Sequence, residues 1–201
     1  DQLGELGVPA PMRMSRDAYS VLVSTVISLR TRDKVTEEVS SRLLSRASKP
    51  AELAALSVEE LQEILRPAGF YRQKSRQLKE IAEIIISDHG GEVPGTMEEL
   101  LKLPGVGRKT ANFVLGMVYG KPAICVDVHV HRISNRLGWV QTKTPEQTES
   151  ALEEVLPRRY WIPINELLVR FGQTMCTPVS PFCSRCPIRA PCPQVGVECS
   201  R

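Results

Sequence analysis

The last quarter of the chain imposes the tightest constraint on folding. Four cysteines, Cys176, Cys183, Cys186 and Cys192, follow the pattern C-x6-C-x2-C-x5-C in a stretch that also contains Pro178, Pro181, Pro187, Pro191 and Pro193. Proline removes a backbone donor and breaks helices, so at this density neither helix nor sheet hydrogen bonds can order the segment. A covalent or metallic cross-link must do so. Zinc sites usually show two close cysteine pairs, whereas only Cys183 and Cys186 form one here and the outer spacings are wide, which suits a larger iron–sulfur cube better than a single ion. Spacing alone leaves the metal open. Two disulfides are the alternative, and they fit poorly with Cys125 left in an apolar run, Cys199 in the tail and no recognisable signal peptide.

The chain has 201 residues, 42% hydrophobic and 24% charged, which is ordinary for a globular protein with one generous core or two small ones. The longest uncharged apolar run lies around Phe113 to Tyr119, far short of a membrane span, so no membrane partner is expected. A net charge of +3 does not by itself indicate nucleic-acid binding. Basic residues do cluster at Arg30 to Lys34, Arg72 to Arg76, Arg108-Lys109 and Arg132 to Arg136. Such clusters are usually solvated faces and gain meaning only if the fold gathers them.

Helical periodicity dominates, and no run alternates apolar and polar residues long enough to indicate a sheet, so the fold class is all-α. Apolar spacing predicts helices over 17–29 and 33–46. Ser57-x-x-Glu60 and Thr96-x-x-Glu99 read as capping boxes, and Thr144-Pro145 as a cap followed by proline at the first helical position, which place helices near 58–66, 97–103 and 145–156. Further helices are expected over 73–89, stopped by Gly90-Gly91, over 128–137, and over 164–176.

Leu103-Pro104-Gly105-Val106-Gly107-Arg108-Lys109-Thr110 joins two of these helices. Pro104 and the two glycines make a tight turn at a helix N-terminus, whose amides and partial positive charge suit a phosphate. A simple helix–turn–helix connection would look similar. Between amphipathic helices the full string points to a helix–hairpin–helix that grips a nucleic-acid backbone through Gly105, Val106 and Gly107. Lys109 falls in the first turn of a helix apolar nearly all round. The positive helix end and partial loss of hydration there both favour a neutral amine, which can act as a nucleophile and form a Schiff base. The following helix runs about 15 Å at 1.5 Å per residue, and an extended return from Gly120 can span up to roughly 23 Å. Asp127 can therefore come back beside Lys109, while also serving as N-cap of the helix after it. His129 lies nearest Asp127 and is the better placed of the two neighbouring histidines to line a pocket; neither it nor His131 reads as a metal ligand.

These features, the 103–110 hairpin, Val126-Asp127-Val128-His129 and the four-cysteine run, together resemble the endonuclease III family of DNA base-excision glycosylases, in that family's order and spacing from about Tyr19 to Cys192. The resemblance implies a helix–hairpin–helix glycosylase fold of two α-helical domains, with DNA in the cleft between them. Residues 11–121 would form a helical barrel, and 1–10 with 122–201 a second domain carrying the cluster loop, 176–192. It implies a four-iron four-sulfur cluster on Cys176, Cys183, Cys186 and Cys192, Lys109 as nucleophile and Asp127 as catalytic carboxylate. Arg30 stands where many members have a glutamine that fills the gap left by an everted nucleotide, and Phe70 stands in place of a leucine wedge, a change that keeps apolar bulk. Arg185 and Arg189 would turn toward phosphates. The implied function is removal of oxidised or saturated pyrimidines from duplex DNA, followed by strand nicking, by a monomer in the cytoplasm, nucleoid or other DNA-containing compartment. A mismatch or adenine glycosylase of the same fold, and a non-catalytic DNA-binding module, are the alternatives.

Overall fold

A computed structural model of the chain describes residues 17–201, all of whose regular structure is helical. The expected placement of residues 1–10 in one domain and 11–16 in the other lies outside the described residues. The chain divides into two compact units between Lys121 and Pro122.

The unit that ends at Lys121 contains α1 (Ala18–Ser28), α2 (Asp33–Arg46), α3 (Pro50–Ala55), α4 (Val58–Leu65), α5 (Tyr71–His89), α6 (Met97–Lys102) and α7 (Arg108–Met117). α1 is its axis, packing on α2, α5 and α7, and its Leu22, Val26 and Ile27 are fully enclosed. Asp17 starts α1 by accepting the Ser20 N–H at 2.8 Å. α5 lays Leu78, Ile81 and Ile85 against α3 and α4. Ser57 and Glu60 form the expected reciprocal capping box on α4, at 3.1 and 2.8 Å. At Thr96 the hydroxyl accepts the Glu99 N–H and also donates to the Glu99 carboxylate.

Two differences from the sequence expectation have local causes. α5 begins at Tyr71 instead of Gln73, because the chain is turned into position by Phe70 in the left-handed region at φ 58°. α3 carries no sequence signal beyond proline at its first turn, since six residues are too few to display a helical period. The expected stop of α5 is met by Gly90 and Gly91 at φ 61° and 90°, both donating to the Ile85 carbonyl.

The unit from Pro122 onward contains α8 (Val128–Arg136), α9 (Pro145–Val155) and α10 (Ile164–Thr174), with α8 packed on both others. Val130, Ile133, Leu152, Ile164 and Leu168 are at its centre. α10 ends two residues before Cys176, and the proline-rich loop that follows sends Ile188 into the same core. A polar network closes the α8–α9 junction: His131 Nδ1 meets the buried Thr148 hydroxyl at 2.6 Å, Thr148 meets the Thr142 hydroxyl at 2.5 Å, and the Asn135 amide accepts from Thr142 N–H at 2.8 Å and donates to its hydroxyl at 3.1 Å. Thr148→Val keeps the shape but removes the hydroxyl that bonds both His131 and Thr142, so it should cost about 1 kcal/mol in urea unfolding. A change below about 0.5 kcal/mol would show that the network contributes little.

Candidate functional site

The hairpin between α6 and α7 is pinned from below. Leu103 and Val106 are buried, and Val106 N–H donates to the Leu103 carbonyl at 3.1 Å. Gly105 sits at φ 76°, a conformation that side chains resist, with the Gln77 amide directly over its Cα. Gly107 precedes α7 with no side-chain cap, and a Cβ built there meets nothing within 4 Å. At Gly107 the turn is therefore bare backbone at the positive end of a helix. Val106, expected among the contact residues, turns its side chain into the core, leaving only its backbone for an outside partner.

Lys109 is the second residue of α7 and is exposed. The expected loss of hydration is thus not a property of the free protein. α7 is buried along Thr110, Ala111, Val114 and Leu115, while its first two residues, Arg108 and Lys109, project outward. The position at the helix N-terminus is as expected.

Asp127 lies in the other unit and caps α8: its Oδ1 accepts the N–H groups of His129 and Val130, both at 2.9 Å. His129 is drawn toward α10. Arg132 Nη2 lies 3.2 Å from His129 Nδ1, and since a guanidinium only donates, that nitrogen accepts and a neutral ring carries its proton on Nε2. Both side chains lie over Gly172, where a Cβ would come within 2.3 Å of His129 Nδ1.

Arg30 and Phe70 end up together. Each is a non-glycine residue in the left-handed region, at φ 52° and 58°, and the Arg30 guanidinium carbon stands 5.2 Å from the Phe70 ring centroid. Phe70 is 57% exposed, which excludes a core role. The two loops touch through backbone: a Cβ at Gly69 would lie 2.3 Å from the Arg30 carbonyl oxygen, and Gly69 N–H donates to Thr31 Oγ1 at 3.2 Å. Beneath them is Lys74, 3% exposed. Its ammonium donates to the carbonyls of Ile27 and Leu29 at 2.6 and 2.5 Å and to Thr31 Oγ1 at 2.8 Å. Burial pushes its pKa down to about 8, while three acceptors work in favour of the charged form. The sequence reading passed over Lys74; its signal was a lysine in line with Leu78, Ile81 and Ile85 on the apolar stripe of α5.

Cys176, Cys183, Cys186 and Cys192 line one cavity, walled also by Phe171 and Ile188 and with about 360 Å³ of empty space including its open mouth. No disulfide joins any of these four, so the disulfide alternative is not realised. Among the described residues no three His, Cys, Asp or Glu side chains converge closely enough for a single ion. Burial pushes the thiols of Cys186 and Cys192 up, as do the neighbouring cysteines, while the backbone amides of Ile188 and Gln194 pull the other way. Four thiolates facing one apolar cavity repel each other unless positive charge lies between them, so the donor set fits a cationic metal group, single-ion or multinuclear. The basic cluster at 132–136 serves this loop. Arg132 donates to the Cys176 carbonyl at 2.9 Å, and Arg136 donates to Cys176 Sγ at 3.4 Å and to the carbonyls of Thr177 and Pro178, both at 2.7 Å. Arg185 and Arg189 are exposed, and Arg185 stacks on Phe182 with its guanidinium carbon 4.1 Å from the ring centroid.

The family model described as HhH-GPD superfamily base excision DNA repair protein matches residues 23–158. Endonuclease III of Thermotoga maritima is 51% identical over 176 residues, covering 88% of this chain and 83% of that protein. The chloroplastic endonuclease III homolog 2 of Arabidopsis thaliana is 41% identical, and the chain spans 49% of its length. Among solved structures, a trapped endonuclease III–DNA covalent intermediate matches with a TM-score of 0.90 at 34% identity, over 96% of this chain and 92% of that one.

The contact at Gly69 gives a direct check. Gly69→Ala forces the Arg30 loop and the α4–α5 loop apart, and the expected loss is about 1–3 kcal/mol by chemical unfolding. Unchanged stability would mean that the loops do not meet in solution.

Proposed function

The chain belongs to the endonuclease III family of the HhH-GPD superfamily of base-excision DNA repair proteins, and from that premise we propose that Lys109 is the nucleophile of its reaction and Asp127 the carboxylate that assists. The protein is a DNA glycosylase with abasic-site lyase activity. Its substrate is duplex DNA containing an oxidised or saturated pyrimidine, bound by a monomer in a DNA-containing compartment. No described helix is long and apolar enough to cross a membrane.

The observation that carries this assignment is a lysine in the first turn of α7, next to the bare backbone of Gly107. The hairpin amides take a phosphate oxygen, which positions the strand without reading its sequence. The damaged nucleotide leaves the stack at a cost of a few kcal/mol, least where pairing is already weak. DNA covering Lys109 removes the hydration that the free protein leaves on it, so the amine is activated where it is needed. The neutral amine attacks the anomeric carbon, and the base departs with the bonding electron pair. Asp127 stabilises the sugar cation that develops and takes up the lysine proton. Ring opening gives a Schiff base, and loss of the neighbouring C2′ proton expels the 3′ phosphate, nicking the strand.

Cys176, Cys183, Cys186 and Cys192 hold a four-iron four-sulfur cluster, whose chemistry is to cross-link the loop without changing the substrate's oxidation state. Arg185 and Arg189, carried on that loop, contact phosphates. Capture of a covalent DNA intermediate by a relative favours an amine nucleophile over a purely hydrolytic mismatch glycosylase or a non-catalytic DNA-binding module.

Borohydride is expected to trap a protein–DNA adduct on damaged duplex, and Lys109→Gln to abolish it while DNA binding persists through the hairpin backbone. A Lys109→Gln protein that still forms the adduct would place the nucleophile elsewhere. Asp127→Asn keeps an oxygen for the α8 cap and should slow base release by about a hundredfold with little change in affinity. Purified protein should contain about four iron atoms per chain and keep them in Cys199→Ala; a zinc-only protein would refute the cluster.

A further inference from the structure

We propose that Lys74 is a positioning residue for nucleotide eversion, its buried ammonium fastening the α1–α2 loop to the α4–α5 loop so that Arg30 and Phe70 meet DNA as one preformed unit. This rests on the assignment of Arg30 and Phe70 as the residues that occupy the opened stack. Stability alone does not call for a lysine here. Lys74 lies on the apolar stripe of α5 with Leu78, Ile81 and Ile85, where methionine or leucine would extend the core, and burying an ammonium is costly. What the ammonium adds is a three-way junction. Two of its bonds go to Ile27 and Leu29, carbonyls at the C-terminal end of α1, which ends without a glycine. The third goes to Thr31 Oγ1, which also accepts Gly69 N–H. One chain of bonds thus runs from α5 through the first loop into the second, and the residues it fixes are the immediate neighbours of Arg30 and Phe70.

The outward side shows the consequence. Arg30 and Phe70 hold left-handed conformations that are unfavourable for non-glycine residues, and such conformations persist only where the surroundings over-determine them. Phe70 is kept 57% exposed at the tip, backed by the Arg30 guanidinium. Removing the junction lets both loops relax to ordinary backbone angles, which dissolves the pair without touching Lys109, Asp127 or the hairpin.

Lys74→Met tests this in single-turnover base release from thymine glycol, presented once in duplex and once in the same strand unpaired. We expect about a tenfold loss on duplex and less than about a twofold loss on single strand, because only the duplex has a stack to open. Phe70→Ala should show the same selectivity, and the double variant should lose little more than either single one, since both remove the same element. Equal loss on both substrates for Lys74→Met, or losses that multiply in the double variant, would overturn the positioning role. Equal loss on both substrates for Phe70→Ala would instead remove the premise that Phe70 enters the stack. Should Lys74→Met fail to fold, Thr31→Val decides: it deletes the hydroxyl between Lys74 and Gly69 while leaving the ammonium its two carbonyls, and a selective loss of about threefold on duplex is expected. Absence of selectivity there would overturn the proposal as well.

Discussion

Two guanidinium groups on one face of α8 hold together the part of the chain least able to hold itself. From Thr177 to Arg201 the backbone has no helix longer than the single turn Cys183–Arg185. Arg132 and Arg136 replace the missing ladder by donating to the carbonyls of Cys176, Thr177 and Pro178. Ile188 adds an apolar anchor in the core of the same unit, and the tail returns so that Arg201 exchanges bonds with Pro181 and Ser184. The four thiols are gathered by these contacts as well as by whatever they bind. A chain segment this short of regular structure needs several independent ties, which is the general condition of small units with modest cores.

Much of the fold was legible because its signals are local. Ser57, Thr96 and Thr144 all cap helices where the sequence places them, Pro145 opens α9, and Gly90-Gly91 closes α5. Asp127 was read as the cap of α8, and it is. What sequence could not show depends on contacts between distant segments. Lys74 bonds to atoms more than forty positions away, and nothing in its neighbourhood distinguishes it from a surface lysine except its place in an apolar stripe. The basic cluster at 132–136 looked like a solvated face, and its inward turn becomes visible only once α8 lies beside the cysteine loop. Val106 fell in a motif read through its backbone, so the direction of its side chain was not specified.

Lys74 and Lys109 show how the same side chain takes opposite work from its surroundings. Lys109 stands exposed at the start of a helix, where the inference of burial from an apolar helix failed because burial begins at the third residue of α7. Lys74 is enclosed and saturated with acceptors, so its charge is structural and unavailable to a substrate. A reactive amine must be reachable and an anchoring one must not be, and exposure separates the two where residue type cannot.

In the proposed role of Arg30 and Phe70 as the probe of the base stack, their left-handed conformations set the conditions of each encounter with DNA. Loops that must be ordered on binding lose conformational entropy at every site they visit, undamaged ones included. Here the unfavourable backbone angles are already in place in the free protein, so the cost is met once, when the chain folds. An enzyme that must test many intact base pairs for every damaged one thereby brings a rigid probe to each, and the energy difference between sound and damaged DNA remains in the DNA, where pairing and stacking determine which nucleotide yields.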